Sequence, residues 1–403
     1  MQQQLMDGYP PPEELQVTLG NWRKAPFNRW SFQHVREIVP TADIANDPDH
    51  VRELPKTGKA DFGDVSIKTE AGTYSLETFL QATDTDGFGI VRDGRIIYEY
   101  YGNGMGADTP HIFMSVSKSV LGLLTGALVE RGVLSLDDVV TRWVPEVGAT
   151  AYAGATLRDL IDMRVGVFFD EDYLASAGPI IEYRKAQNWD PLGPGEKPSD
   201  LRTFLPLLAK SDGPHKGRFH YVSPNTDLMG WVIERATGQR YADLVSELLW
   251  KPMGAGRSGY ITVDRLGAPR CAGGFCATTR DLLRLGLLIV EGGRYASKAI
   301  IPGWWIDDIL KDGEAHAWDE GDFTKYFPNM PMHYRSKWYV LRDDAPLMFG
   351  VGVFGQNVFI DRKNRIVIAK FSSQALPMDE KRILLTMRGI AAIRNSLLVE
   401  QRA

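Results

Sequence analysis

Cysteine is nearly absent from this 403-residue chain: Cys271 and Cys276 are the only two. A lone C-x4-C pair lacks the second pair that a structural zinc site needs. In the stretch Cys271-Ala272-Gly273-Gly274-Phe275-Cys276 both thiols read as small buried side chains, and such low cysteine use suits a reducing compartment. No apolar run approaches the ~20 residues of a membrane helix. The opening Met1-Gln2-Gln3-Gln4-Leu5-Met6-Asp7-Gly8 has neither the basic nor the apolar stretch of a secretory leader. The expectation is a cytoplasmic protein without membrane association. Positive charge is not in excess either. With 46 Lys and Arg against 51 Asp and Glu, the net charge of −5 gives no general attraction to phosphate, so nucleic acid is not an expected partner.

Several motifs are missing as well. There is no G-x-S-x-G elbow, no P-loop and no H-E-x-x-H. Gly102-Asn103-Gly104-Met105-Gly106 departs from G-x-G-x-x-G, and Thr109-Pro110 follows where a helix should open, which argues against a dinucleotide site. The seven histidines are scattered, and His215 and His220 are expected in loops. No metal and no cofactor is expected.

What is present is ordinary globular composition, 44% hydrophobic and 24% charged, in a chain long enough for a large core and more than one folding unit. Residues 1 to about 85 read as loop-rich, with Pro10-Pro11-Pro12 and Asp47-Pro48-Asp49 as breakers. The aromatic phrase from Trp22 to Phe32 is expected to wrap the surface of the body. Gly87–Arg92 and Arg95–Tyr100 flank Asp93-Gly94, a hairpin signal. Val116–Arg131 reads as one buried helix ended by Gly132. Thr156 is expected to cap a helix, further helices are expected over Asp227–Ala236 and Tyr241–Trp250, and Thr279 is expected to cap Arg280–Val290. Strand signals return at Lys337–Leu341, Gly350–Val353, Asn357–Ile360 and Arg365–Phe371. The order implies an α/β body with one sheet built from both ends of the chain, residues 1–124 and 255–403. A mainly helical subdomain, 125–254, is inserted between them.

Ser115-Val116-Ser117-Lys118 carries chemistry. Residues i and i+3 share a helix face, so the Lys118 ammonium can reach the Ser115 hydroxyl. The helix continues Val120-Leu121-Gly122-Leu123-Leu124, and an ammonium among such residues should lose hydration and basicity. Alone, S-x-x-K is weak, because Ser115 could be a plain N-cap with Lys118 on a solvent face. The helix is too apolar to offer that face. A second element, Tyr221-Val222-Ser223-Pro224-Asn225-Thr226-Asp227, brings a phenol that can shuttle a proton, held partly ionised beside a lysine. Ser223 or Asn225 could hydrogen-bond Lys118.

These two phrases resemble the first two motifs of the class C β-lactamases, DD-peptidases and family VIII esterases. The resemblance is closer to one branch, the 6-aminohexanoate-dimer (nylon-oligomer) hydrolases. It extends through Asn28-Arg29-Trp30, Met114–Ser119, Val144-Pro145-Glu146, Leu160–Met163, Glu171-Asp172-Tyr173, Ser223–Asp227 and Gly355-Gln356-Asn357, nearly the whole chain. It implies an antiparallel sheet flanked by helices, with the site in a cleft against the helical subdomain. It further implies Ser115 as nucleophile, Lys118 and Tyr221 as acid–base partners, and the backbone N–H groups of Ser115 and Gln356 as the oxyanion hole. Tyr173 matches a tyrosine that hydrogen-bonds the substrate amide, and Trp189 an aromatic on a loop that closes over substrate. Arg184, Ser223, Asn225, Val353, Phe354 and Gly355 complete the expected lining.

The departures are informative. Where the lactamases carry Lys-Thr/Ser-Gly, this chain has Val353-Phe354-Gly355, without the cation that grips a β-lactam carboxylate. The best amidases of the nylon-oligomer branch carry an acid five positions before the loop tryptophan; here that position is Arg184. A polar side chain two before the glycine pair is Ala272, counting Gly274 as the second glycine. The reading is therefore hydrolysis of a small ester or linear amide through an acyl-enzyme on Ser115, with esters preferred. The rivals are a β-lactamase or D-amino-acid peptidase of the same fold, and a silent binding module, which should have lost Ser115, Lys118 or Tyr221. The oligomeric state is left open, a homodimer included.

Overall fold

The computed structural model describes residues 4–57, 62–63, 65–70, 72–211 and 213–399; Met1, Gln2 and Gln3 of the opening lie outside them. Its centre is a seven-stranded antiparallel sheet. Two strands come from the first part of the chain, β1 (Thr85–Arg92) and β2 (Arg95–Tyr101). Five come from the last: β3 (Met332–Arg335), β4 (Trp338–Leu341), β5 (Leu347–Gly352), β6 (Gln356–Asp361) and β7 (Ile366–Ser372). The spatial order is β3-β4-β5-β6-β7-β1-β2. The hairpin β1–β2 closes with Arg92 opposite Arg95, and Asp93 and Gly94 both have positive φ, 51° and 77°. That is the twist a two-residue hairpin requires.

Strand β7 is buried throughout, and its period of two supplies both faces of the sheet. Ile366 and Ile368 join a cluster with Leu385, Ile390 and Ile393 of the helix α6 (Glu380–Val399). Val367 and Ala369 join the larger cluster with Leu282 and Leu283 of α5 (Thr279–Val290). Helices α1 (Val116–Glu130), α2 (Leu157–Ile161), α3 (Pro179–Ala186) and α4 (Ser223–Thr237) lie between the two groups of strands in sequence. Helix α1 is buried from Val116 to Leu128 and stops where Gly132 takes φ +68°. A four-stranded antiparallel sheet joins Thr41–Ile44, Gly259–Thr262, Phe275–Ala277 and His111–Ile112, and leads the chain into the turn before α1.

Some local expectations are corrected. Helix α4 begins at Ser223, four residues before the expected Asp227, because Pro224 occupies the first turn, where its missing N–H costs nothing. The cap of α5 is Thr278, whose hydroxyl accepts from the Asp281 N–H, not Thr279. The helix from Tyr241 passes into a π turn at Ser246–Trp250. The aromatic phrase near the N-terminus lies on the surface only in part: Lys24, Ala25, Pro26 and Arg29 are exposed, whereas Trp22 and Phe32 are buried with Trp189 and Phe354. Their burial outweighs the polar residues around them, at roughly 25 cal/mol per Å² of apolar area. Cys271 and Cys276 are free and buried, and His215 and His220 lie in loops. Among the described residues no helix is long and apolar enough to cross a membrane.

Candidate active site

Ser115 stands at the head of α1. The residue before it, Met114, is held at φ 45°, a conformation uncommon for a side-chain-bearing residue and frequent near functional turns. Lys118 follows one turn later. Its Nζ donates to Ser115 Oγ at 2.7 Å and to the Ala272 carbonyl at 2.7 Å. The Lys118 pKa falls to about 7, first because burial penalises the ammonium and then because Arg270 adds like charge; Glu171 and Asp227 oppose the shift. Its ammonium also lies 4.9 Å from the centre of the Tyr221 ring. The other two serines of this stretch serve the fold: Ser117 Oγ accepts from the Phe275 N–H and Ser119 Oγ donates to the Lys337 carbonyl.

Tyr221 is buried just before α4, stacked on Phe323 at 4.4 Å. Burial, with Glu171 nearby, raises its pKa, and a hydrogen bond with Ser115 only partly offsets this. The expectation of a partly ionised phenol is thereby corrected. Burial lowers the lysine pKa toward neutrality and raises that of the phenol.

The acceptor for Lys118 is also corrected. Neither Ser223 nor Asn225 holds it. Ser223 donates its N–H, at 2.6 Å, and its hydroxyl to Glu171. Asn225 is fully buried, with Nδ2 against Met163 Sδ. The acceptor is the Ala272 carbonyl, and Asp227 fixes that loop by accepting from Ala272 N–H at 2.9 Å and from Arg270 at 2.6 Å. Glu171 and Asp227 are thus two site carboxylates to which sequence reasoning gave no role. The signal was present, since both lie in phrases that carry the resemblance, but neither has a reactive neighbour in sequence.

A pocket opens over Ser115. Tyr173, Arg184, Trp189, Ser223, Val353 and Phe354 line it, together with Arg23, Glu171, Gln187 and Arg270. The Tyr173 hydroxyl is donated to Glu171 at 3.0 Å. Trp189 is a buried wall, its Nε1 donating to Thr262 Oγ1 at 3.2 Å. Asn225, Gly355 and Gln356 are not among the lining residues. Asn225 faces the interior, and Gly355 borders a separate hollow with Gln374. Gln356 opens β6, buried, with its amide donating to the Ser372 carbonyl at 2.7 Å. The reason is the turn itself: Gly352 and Gln356 are register partners, so residues 353–355 bulge between them. A Cβ on Gly352 would lie 2.9 Å from Ser115 N and 2.6 Å from the Phe113 carbonyl. Only glycine lets β5 pass the turn at Ser115 so closely, and it delivers Val353 to the cavity edge. Among the described residues no group of three His, Cys, Asp or Glu is placed to hold a metal ion.

Residues 76–391 match the β-lactamase sequence family. The chain belongs to that family. It is a serine hydrolase of the β-lactamase fold, in which members act on amides and esters. It is 33% identical over 368 residues to the 6-aminohexanoate-dimer hydrolase of Paenarthrobacter ureafaciens, covering 91% of this chain and 90% of that one. It is 29% identical over 187 residues to Esterase EstB of Burkholderia gladioli, covering 43% and 46%. A solved structure from Bacillus anthracis, assigned to the 6-aminohexanoate-dimer hydrolases, superposes with TM-score 0.86 at 26% identity, covering 96% of this chain and 98% of that one. The expected resemblance and the expected fold are both borne out.

Proposed function

We propose that this hydrolase cleaves small esters, and linear amides less readily, through an acyl-enzyme on Ser115. The observation that carries the reading is the 2.7 Å contact between Ser115 Oγ and a lysine whose pKa lies near 7. Neutral Lys118 takes the Ser115 proton as Oγ bonds to the carbonyl carbon. The protonated phenol of Tyr221 relays a proton to the leaving oxygen or nitrogen as its bond to carbon breaks. Water then repeats the sequence on the acyl-enzyme, releasing the acid and restoring Ser115. We assign the oxyanion donors to the backbone N–H groups of Ser115, at the head of α1, and of Val353 in place of Gln356. Residues 125–254 supply Tyr173, Arg184, Gln187, Trp189 and Ser223, and the rest of the chain supplies Ser115, Ala272, Val353 and Phe354, which supports reading that stretch as a subdomain facing a body. The ammonium end of the 6-aminohexanoate dimer, the substrate in the name of the Paenarthrobacter relative, would meet like charge at Arg184, which supports esters as the better substrates.

A serine-directed phosphonate is expected to label Ser115 alone. Mass spectrometry of the labelled peptide checks this, and label on another serine, or on none, removes Ser115 from the role. Penicillins and cephalosporins are expected to be poor substrates, with kcat/KM below the efficient range of ~10⁴ M⁻¹s⁻¹. Their carboxylate is fixed to the ring beside the scissile bond, and Val353 and Phe354 offer it no cation there. A chromogenic cephalosporin turned over above that value would show the strand wall to be misread.

A further inference from the structure

Three guanidinium groups line the Ser115 cavity: Arg23, Arg184 and Arg270. Two of them have carboxylate partners, Arg23 in Asp190 and Arg270 in Asp227. Arg184 has no ion-pair partner among the described residues. It donates to a neutral acceptor, the Tyr173 carbonyl, at 2.8 Å. The one carboxylate in the lining, Glu171, already accepts from Ser223 N–H, Ser223 hydroxyl and Tyr173 hydroxyl.

The same cavity carries donors with nothing to donate to. Gln187 is 1% exposed, and neither of its amide atoms meets a partner within the protein. The Nε groups of Arg23 and Arg270 are likewise buried and unpartnered. Buried donors without acceptors are costly and rare in folded proteins. Like charge is crowded here too: Arg23 is lowered to about 10, first by its burial, then by Arg184 and Arg270, against the pull of Asp190. A group with several lone pairs and a negative charge would pair with Arg184 and accept from the unpartnered N–H groups, and a carboxylate fits the planar guanidinium fork.

We propose that this part of the cavity, centred on Arg184 and Gln187, receives a substrate carboxylate. The substrates are then short chains with the scissile ester or amide at one end and a carboxylate at the other. The inference rests on Ser115 as nucleophile only for its kinetic readout. Arg184 acts through charge and Gln187 through its amide, so an ammonium-ended chain of the same length is rejected while an anionic one is drawn in.

The test compares two substrate series. In the first, p-nitrophenyl monoesters of four- to eight-carbon dicarboxylic acids are set against p-nitrophenyl esters of the matching monocarboxylic acids. In the second, acetates of ω-hydroxy acids are set against alkyl acetates. In at least one series the anionic member should have ~10-fold or higher kcat/KM, mostly through KM, with the preference falling as salt rises. In Arg184→Gln the ratio of anionic to neutral kcat/KM should collapse to ~3 or less, and Arg184→Lys should restore part of it. Taking a ratio removes any general damage to the site. No preference in either series, or a preference that survives Arg184→Gln, overturns the proposal. Calorimetry of monomethyl adipate against methyl hexanoate on Ser115→Ala protein needs no turnover. Binding of the anion there that depends on Arg184, with no hydrolysis by the wild type, would keep the carboxylate site and overturn Ser115 as nucleophile. Hydrolysis of neutral esters with no anion effect would do the reverse.

Discussion

Lys118→Ala is expected to lower kcat/KM for a neutral ester by ~10²-fold or more, the low end for a general acid–base group. The side chain spans the Ser115 hydroxyl and the Ala272 carbonyl, 2.7 Å from each, so it is poised to take the proton. Because the folded pKa is about 7, wild-type kcat/KM should rise with pH through about 7 and then level off. The same burial predicts an opposite effect on stability. The unfolded chain holds the lysine proton up to its ordinary value of 10.5, the folded one only to about 7. Between those values unfolding takes up a proton, so stability rises with pH across that window and the full penalty is present below it. Each tenfold shift in the protonation equilibrium is worth about 1.4 kcal/mol, so the penalty is on the order of a few kcal/mol. Lys118→Met, which keeps the volume and removes the charge, should therefore melt higher than the wild type at pH 6, and the gap should close toward pH 10. Turnover of Lys118→Ala within ~3-fold of the wild type, or a flat pH–rate profile from pH 5.5 to 8.5, would remove this lysine from the chemistry.

Tyr221→Phe is expected to cost a similar factor, ~10² or more, on substrates that need their leaving group protonated. The substitution removes one oxygen and keeps the ring on Phe323, so circular dichroism and melting should change little. The phenol stays protonated because it is buried beside Glu171, and it lies close enough to Ser115 to act on its proton. A p-nitrophenolate departs without a proton, whereas an alkoxide or amine anion does not. The loss should therefore be small for p-nitrophenyl esters, large for alkyl esters and largest for amides. A plot of log kcat/KM against leaving-group pKa should be steeper for the variant. An equal loss across the series would mean that Tyr221 positions Ser115 and does not supply the proton.

The two predictions draw on different levels of information. Ser115 and Lys118 are three apart on an apolar helix, and that spacing alone puts them on one face, so the pair was legible in the primary structure. Tyr221 was legible because its motif stands at the head of another helix. The hairpin at Asp93-Gly94, helix α1 and the late strands were legible for the same local reason: turn residues and periodicity act within a few positions of each other. The burial of Trp22 and Phe32 was not legible because it depends on Trp189 and Phe354, more than 150 residues away.

The sequence by itself determined the Ser115–Lys118 pairing on one helix face, the β-lactamase-like fold and the absence of a third-motif cation, since each is a matter of residue type and short spacing. Only the tertiary structure decided what surrounds them. Glu171 and Asp227 became the carboxylates that fix Ser223 and the Ala272 loop. Gln356 proved to lie outside the cavity and Val353 at its lining, because the β5–β6 register makes 353–355 the connecting turn. Arg184, a departure in the alignment of motifs, proved to face the cavity without an acidic partner. Such facts concern which groups meet in space and how the turns between strands fall. Hydrogen-bond satisfaction and charge balance are settled by those meetings, not by the order of residues along the chain.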